Sequence, residues 1–153
     1  MSINSSYSYD SDSEIITTTA SLPEDSGELT EKLRKTVKGL IKKGVKVFYA
    51  GGARGFDTLA AKTVVALKEE YPTIKLVLVL PYRKGGKYEY VGKADGVEYV
   101  AEDYYRGCMF VRDRLLADMS AYCVCYLTEK RGGTAFTVGY AKNSGLTVIN
   151  IAE

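Results

Sequence analysis

The sequence predicts a single three-layer α/β domain with a mainly parallel sheet, and three observations predict it. Strand-like and helix-like segments alternate along the chain, with no long all-β or all-α block. After Lys75, the run Leu76-Val77-Leu78-Val79-Leu80 is continuously apolar, as expected of a strand covered by helices on both faces and flanked by parallel neighbours. Two glycine loops, Gly51-Gly52 and Gly132-Gly133, each follow a strand pattern and open onto a helix pattern. At 153 residues the chain fits one domain with a proper core.

Residues 1 to about 13 are rich in Ser, Tyr and Asp without a period, and are read as a polar N-terminal extension ahead of a domain spanning 14–153. Glu14 to Ala20 has the β-branched content of a first strand, and the stretch to Ser26, with Pro23 and Asp25, is a turn. Leu29, Leu33, Val37, Leu40 and Ile41 then recur at helical spacing from Glu28 to Lys43, and Gly44 supplies the stop. Lys46–Ala50 is the second strand, and a helix from Thr58 to about Tyr71 follows its glycine loop. Lys75–Leu80 is the third strand. A basic loop, Pro81 to Lys87, leaves it, and Tyr88–Lys93 is a short helix; this loop is either a flap over a ligand or plain surface. Val97–Val100 is a fourth strand. The next helix, Tyr104–Met119, turns Phe110, Leu115 and Leu116 inward and carries Arg106, Arg112 and Arg114 on its polar side. Ala121–Leu127 is a fifth strand, Ala135–Asn143 a helix stopped by Gly145, and Thr147–Ile151 the last strand.

Composition excludes several chemistries. There is no histidine, which removes Ser-His-Asp and Cys-His catalysis and any His general base or zinc ligand. Three cysteines, an odd number, argue against a disulfide framework; Cys123 and Cys125 share one face of a strand and read as core. No metal or cofactor is implied. A net charge of +2 with both signs interspersed gives no broad basic footprint, which argues against a nucleic-acid partner. No apolar run reaches bilayer length and no secretory signal stands at the N-terminus, so a cytoplasmic location without a membrane partner is expected.

The candidate site lies in the glycine loops. Gly51, Gly52 and Gly55 can take positive φ and let a ligand approach the backbone, while the first N–H groups of the following helix are unpaired and carry the positive end of its dipole. Ala53 sits between them, Arg54 adds a charge, and Asp57 can cap the helix by accepting from those N–H groups. In a parallel sheet every loop after a strand lies on one edge, so Gly132, Gly133 and Thr134 open onto the same crevice. Two converging helix N-termini predict a small phosphorylated or nucleotide-like ligand.

Four stretches carry a family resemblance: Tyr49 to Ala61, Leu80-Pro81-Tyr82, Arg112-Asp113-Arg114 with Asp118 and Ser120, and Gly132 to Ala141. Together they resemble the YpsA-like branch of the SLOG superfamily, over about residues 14 to 153. The resemblance implies a Rossmann-like fold and a nucleotide or nucleotide-derived ligand, and aims Arg112 at that ligand; a salt bridge with its neighbouring helix is the rival role. Some members of the wider group, the LOG phosphoribohydrolases, cleave the N-glycosidic bond of nucleoside monophosphates, and the group also holds the DprA DNA-processing proteins.

Three departures bear on activity. Thr18-Thr19-Ala20-Ser21-Leu22-Pro23 stands where the branch usually carries Thr-Gly-His-Arg, Asp113 stands where the hydrolases carry a lysine after the arginine, and Thr137 stands where they carry a glutamate. Glycoside cleavage needs a carboxylate or its equivalent, which threonine does not supply. Asp57, Asp118 and Glu129 are the carboxylates expected nearest the crevice. The leading reading is a binding module for a nucleotide or ADP-ribose-like molecule, contacted by Gly51, Gly52, Gly133 and Thr134 with Arg54 or Arg112 neutralising charge. A phosphoribohydrolase with a displaced carboxylate is the second reading, and single-stranded nucleic-acid binding the third. Exposed apolar surface on the arginine-bearing helix could support a homodimer.

Overall fold

The computed structural model describes residues 27–53 and 55–153, and residues 13–16 as backbone. The expected N-terminal extension, the end of the first strand, the turn after it and Arg54 lie outside the described residues. In chain order the elements are β1 (Ser13–Ile16), α1 (Gly27–Lys42), β2 (Val47–Ala50), α2 (Phe56–Leu67), β3 (Lys75–Tyr82), β4 (Gly96–Ala101), α3 (Cys108–Asp118), β5 (Tyr122–Cys125), α4 (Gly133–Asn143) and β6 (Thr147–Asn150). A single turn of 3-10 helix, Val91–Lys93, stands where a short helix is predicted.

The six strands form one sheet in the order β4-β3-β2-β1-β5-β6. Every pairing is parallel. The alternation of β3 sorts the core into two layers. Leu76, Leu78 and Leu80 face α1 and α2, in a cluster with Leu33, Val37, Phe56 and Val64. Val77 and Val79 face the other way, in a cluster with Leu116, Ala117, Val138 and Ala141 of α3 and α4. Cys123 and Cys125 share that second face and are buried, as their spacing predicts. Leu33 and Val64 are fully buried, and truncating Leu33 to Ala removes core contacts at a cost of about 2–5 kcal/mol.

Several bounds shift by one or two residues, and three element readings change most. The helix α2 starts at Phe56 rather than Thr58, and turns over residues 68–70 replace its predicted end. The strand β3 runs on through Pro81 to pair Tyr82 with Ala101, carrying Tyr82 to the sheet edge. The largest change is in α3, which begins at Cys108 instead of Tyr104 and is turned about its axis relative to prediction. Cys108, Arg112, Asp113, Leu116 and Ala117 are its buried residues, whereas Phe110 is 45% exposed. The inward stripe at 108, 112 and 116 therefore contains an arginine. Arg112 does not share the polar face with Arg106 and Arg114, because its charge is matched inside the fold.

Candidate functional site

Helices in this fold run antiparallel to the strands, so the C-terminal edge of the sheet gathers the loops after β2, β3, β4 and β5 and the N-termini of α2, α3 and α4. The first glycine loop leaves β2 there. Gly52 has φ +77°, and a Cβ at that position would lie 2.3 Å from Leu80 Cδ2 and 3.1 Å from the Tyr88 ring. Only glycine satisfies both the backbone and the space.

Asp57 does not cap α2 as expected. Gly55, at φ +88°, is the N-cap residue, and no side-chain cap bond is made. Asp57 is 2% exposed, and its carboxylate accepts from the Ala53 N–H at 2.9 Å, tying the glycine loop to α2 on the side of Gly51 that Arg112 also approaches.

Arg112 reaches this loop from α3. Its Nη1 donates to the Gly51 carbonyl, and its Nε donates to Asp113 Oδ1 at 2.6 Å. Asp113 Oδ2 in turn accepts from the Thr137 hydroxyl of α4 at 2.9 Å, and the same hydroxyl lies 3.0 Å from the Gly133 carbonyl. Arg112, Asp113 and Thr137 are all buried. A polar chain thus runs inside the protein from the first glycine loop through α3 to the start of α4. Buried charges of this kind persist only when paired and hydrogen-bonded, and here both conditions hold. The two positions where the sequence departs from the hydrolase pattern, Asp113 and Thr137, are bonded to each other.

In front of this chain lies a cleft of about 380 Å³. Gly51, Gly52 and Ala53 form one wall, Met109 and Arg112 another, and Pro81, Tyr82, Gly85, Lys87 and Tyr88 the third. The loop after β3 folds against the first glycine loop. The Tyr88 hydroxyl donates to the Tyr82 carbonyl at 2.7 Å, and its ring stands between Gly52 and Gly86. Partial burial raises the Tyr88 phenol above its ordinary range, against the opposing effects of that hydrogen bond and of the nearby Arg112 charge. A second cleft of about 500 Å³ shares Gly52, Lys87 and Tyr88 and adds Thr58 and Glu89.

Of the residues singled out from sequence, Gly51, Gly52, Ala53 and Arg112 line the 380 Å³ cleft, and Asp57 braces it. Gly132, with φ +106°, is the N-cap of α4, and Thr134 is buried. Gly132, Gly133 and Thr134 do not line that cleft; they connect to it through Thr137, Asp113 and Arg112. Asp118 is misplaced by prediction. It ends α3 at the opposite edge of the sheet, where it accepts from the Tyr140 hydroxyl at 2.8 Å. Glu129 is exposed in the loop before α4. Sequence reasoning missed Tyr82, Tyr88 and Met109 as lining residues and Asp113 and Thr137 as partners. The last two lie 24 residues apart on different helices, a spacing with no periodic signature. No cluster of three or more His, Cys, Asp or Glu suited to a metal occurs among the described residues. No described helix is long and apolar enough to cross a membrane.

The fold has solved relatives. DNA processing protein A (DprA) from Streptococcus pneumoniae matches with a TM-score of 0.65 and 18% identity, covering 92% of this chain and 49% of that one. DprA from Helicobacter pylori, in a structure addressing its single-stranded DNA binding mode, matches with a TM-score of 0.65 and 16% identity, covering 89% and 63%. The chain spans about half to under two thirds of the DprA chains it matches. Likeness at this identity speaks for the Rossmann-like fold, and it overturns one expectation. A near-neutral net charge is no argument against a nucleic-acid partner on a fold that DprA shares, since local charge at the binding edge decides that question. No curated protein matches the chain. The model of the YspA SLOG family matches residues 25–147, and the chain belongs to that family.

Proposed function

We propose that the protein binds the phosphate of a nucleotide-like ligand in the cleft between the first glycine loop and α3, without chemistry of its own. One observation carries the reading: the cleft is walled by glycine-loop backbone and two cations, Arg112 and Lys87, and its lining includes no carboxylate. Among the described residues, Arg112 commits two donors, to Gly51 and Asp113, which leaves three of a guanidinium's five N–H groups for a ligand. The cleft volume falls in the range of small-molecule sites. Tyr82 and Tyr88 supply aromatic walls for a base or sugar.

The same lining weighs against the hydrolase reading. Cleavage of an N-glycosidic bond calls for a carboxylate beside the reacting carbon. Asp57 is outside the lining and bonded to the Ala53 N–H, Asp118 lies at the far edge, and Thr137 is committed to Asp113. A second reading, in which the phosphate belongs to a single strand of nucleic acid, is favoured by the DprA neighbour whose structure concerns single-stranded DNA.

The test is a thermal-shift screen against inorganic phosphate, nucleoside mono- and diphosphates and ADP-ribose, with product analysis of each hit. A ligand at a hundred times its dissociation constant stabilises the fold by about 2.7 kcal/mol. Stabilisation with intact ligand, lost in Lys87→Ala, supports binding. Release of free base would overturn the assignment of no chemistry, and no stabilisation by any of them would overturn the site.

A further inference from the structure

The aromatic wall of the cleft continues outward. Tyr82 meets Tyr104 edge to face, ring centroids 5.5 Å apart, and Tyr104 is 62% exposed. On the other wall, Met109 is followed by Phe110, which meets Phe136 of α4 edge to face at 5.1 Å. Tyr104, Tyr105, Met109, Phe110 and Phe136 are the large apolar side chains most exposed among the described residues, and all belong to this end of α3 and α4. Single exposed apolar residues are ordinary; a group concentrated beside a cleft marks an interaction surface.

The charges around this surface select its occupant. Glu102 and Asp103, the acids that precede the patch, are already engaged by Arg83 and Lys84. Lys87 and Arg106, with Lys130 and Arg131 just ahead of α4, make no ion pair among the described residues; Glu89 and Glu129 are the unpaired acids on the same loops. The balance is positive. A second copy of this chain, turned on a twofold axis, would bring the same surplus against itself, whereas a polyanion with apolar flat faces satisfies both the cations and the rings. A duplex keeps its base faces stacked inside; a single strand offers them.

We propose that this surface is the track of a single-stranded oligonucleotide, with one phosphate in the cleft and the neighbouring bases stacked on Tyr104, Phe110 and Phe136. The proposal rests on the phosphate reading of the cleft and extends it from a mononucleotide to a strand. Sequence preference is weak on such a track, because every base has a π-face.

Fluorescence anisotropy with labelled oligothymidylates of three lengths tests it, alongside thermal shift with adenosine monophosphate. Phe110→Ala and Phe136→Ala sit on the exposed side of their helices, and circular dichroism checks that each variant is folded. Affinity is expected to rise with oligonucleotide length, to fall steeply with salt, and to drop about tenfold in each variant. The shift given by the mononucleotide stays at its wild-type value in both variants. Mononucleotide binding without any length dependence, or wild-type oligonucleotide affinity in both variants, overturns the track and leaves the cleft reading intact. Failure of both ligands overturns both. A wild-type dimer in sedimentation that Phe110→Ala dissociates assigns the surface to a second copy and overturns the track.

Discussion

The buried chain Gly51–Arg112–Asp113–Thr137 makes a quantitative prediction about stability. The Arg112 and Asp113 side chains are 3% and 8% exposed, and their N···O distance is 2.6 Å. Among the described residues, Arg112→Met removes the cation and leaves the Asp113 carboxylate with only the Thr137 hydroxyl as side-chain partner, and the Gly51 carbonyl without its Arg112 donor. Breaking one side of a buried pair costs about 3–5 kcal/mol, mostly the penalty for the charge left behind. For a domain of this size that lowers Tm by roughly 6–20 °C. Asp113→Leu should cost a similar amount, for the mirror reason. The double variant Arg112→Met/Asp113→Leu removes both charges and replaces them with apolar volume, so it should fall within about 2 kcal/mol of wild type. Thr137→Val should cost about 1.5–3 kcal/mol, since it takes one bond from an ionised acceptor. Urea denaturation read by circular dichroism, with m held constant across the set, gives all four numbers. A single Arg112→Met change costing under about 1 kcal/mol, or a double variant as unstable as the two singles summed, refutes the reasoning.

Three further outcomes are expected. Gly52→Ala forces a Cβ into Leu80 at a φ of +77°, so it should destabilise by about 1–3 kcal/mol and remove the thermal shift given by phosphate ligands; a variant with normal ligand binding would clear Gly52 of any role in the cleft. Asp95 is held below the ordinary carboxylate range: burial pushes its carboxyl up, but bonds from Lys68 and the Leu76 N–H outweigh it. Its folded value is the lower one, so its stabilisation is present above about pH 4 and is lost as pH falls further through the folded value. Asp95→Asn should therefore flatten the acid limb of stability against pH and cost about 1 kcal/mol at neutral pH, a figure kept small by solvent screening. Tyr88 shifts the other way, raised by burial, so its contribution holds below about pH 10 and is lost as pH rises through the higher folded value. Tyr88→Phe should cost about 0.5–1.5 kcal/mol through the lost bond to the Tyr82 carbonyl and should flatten the alkaline limb in a thermal melt series.

The sequence by itself determined the layering. The apolar run at 76–80 and the helical spacing of Leu29, Leu33, Val37 and Leu40 each report one local periodicity, and both ended where the pattern put them, in the core. The glycine loops were legible for the same reason, since a turn between a strand and a helix is punctuated by glycine within a few residues. Membership of the family followed from those same stretches.

What the tertiary structure decided is the use of α3. Its local pattern places aromatic residues inside and arginines outside, and the fold does the opposite at Phe110 and Arg112. The cause is non-local: Arg112 has its acceptor at Gly51, 61 residues away, and Asp113 has its donor at Thr137, 24 residues away, so burying the pair releases Phe110 to the surface. The lining by Tyr82 and Tyr88 is likewise set by how the loop after β3 returns to the first glycine loop. A periodicity records which face of an element is apolar, but a buried ion pair is stable only when its partners arrive from other elements, and that arrival is a property of the assembled fold.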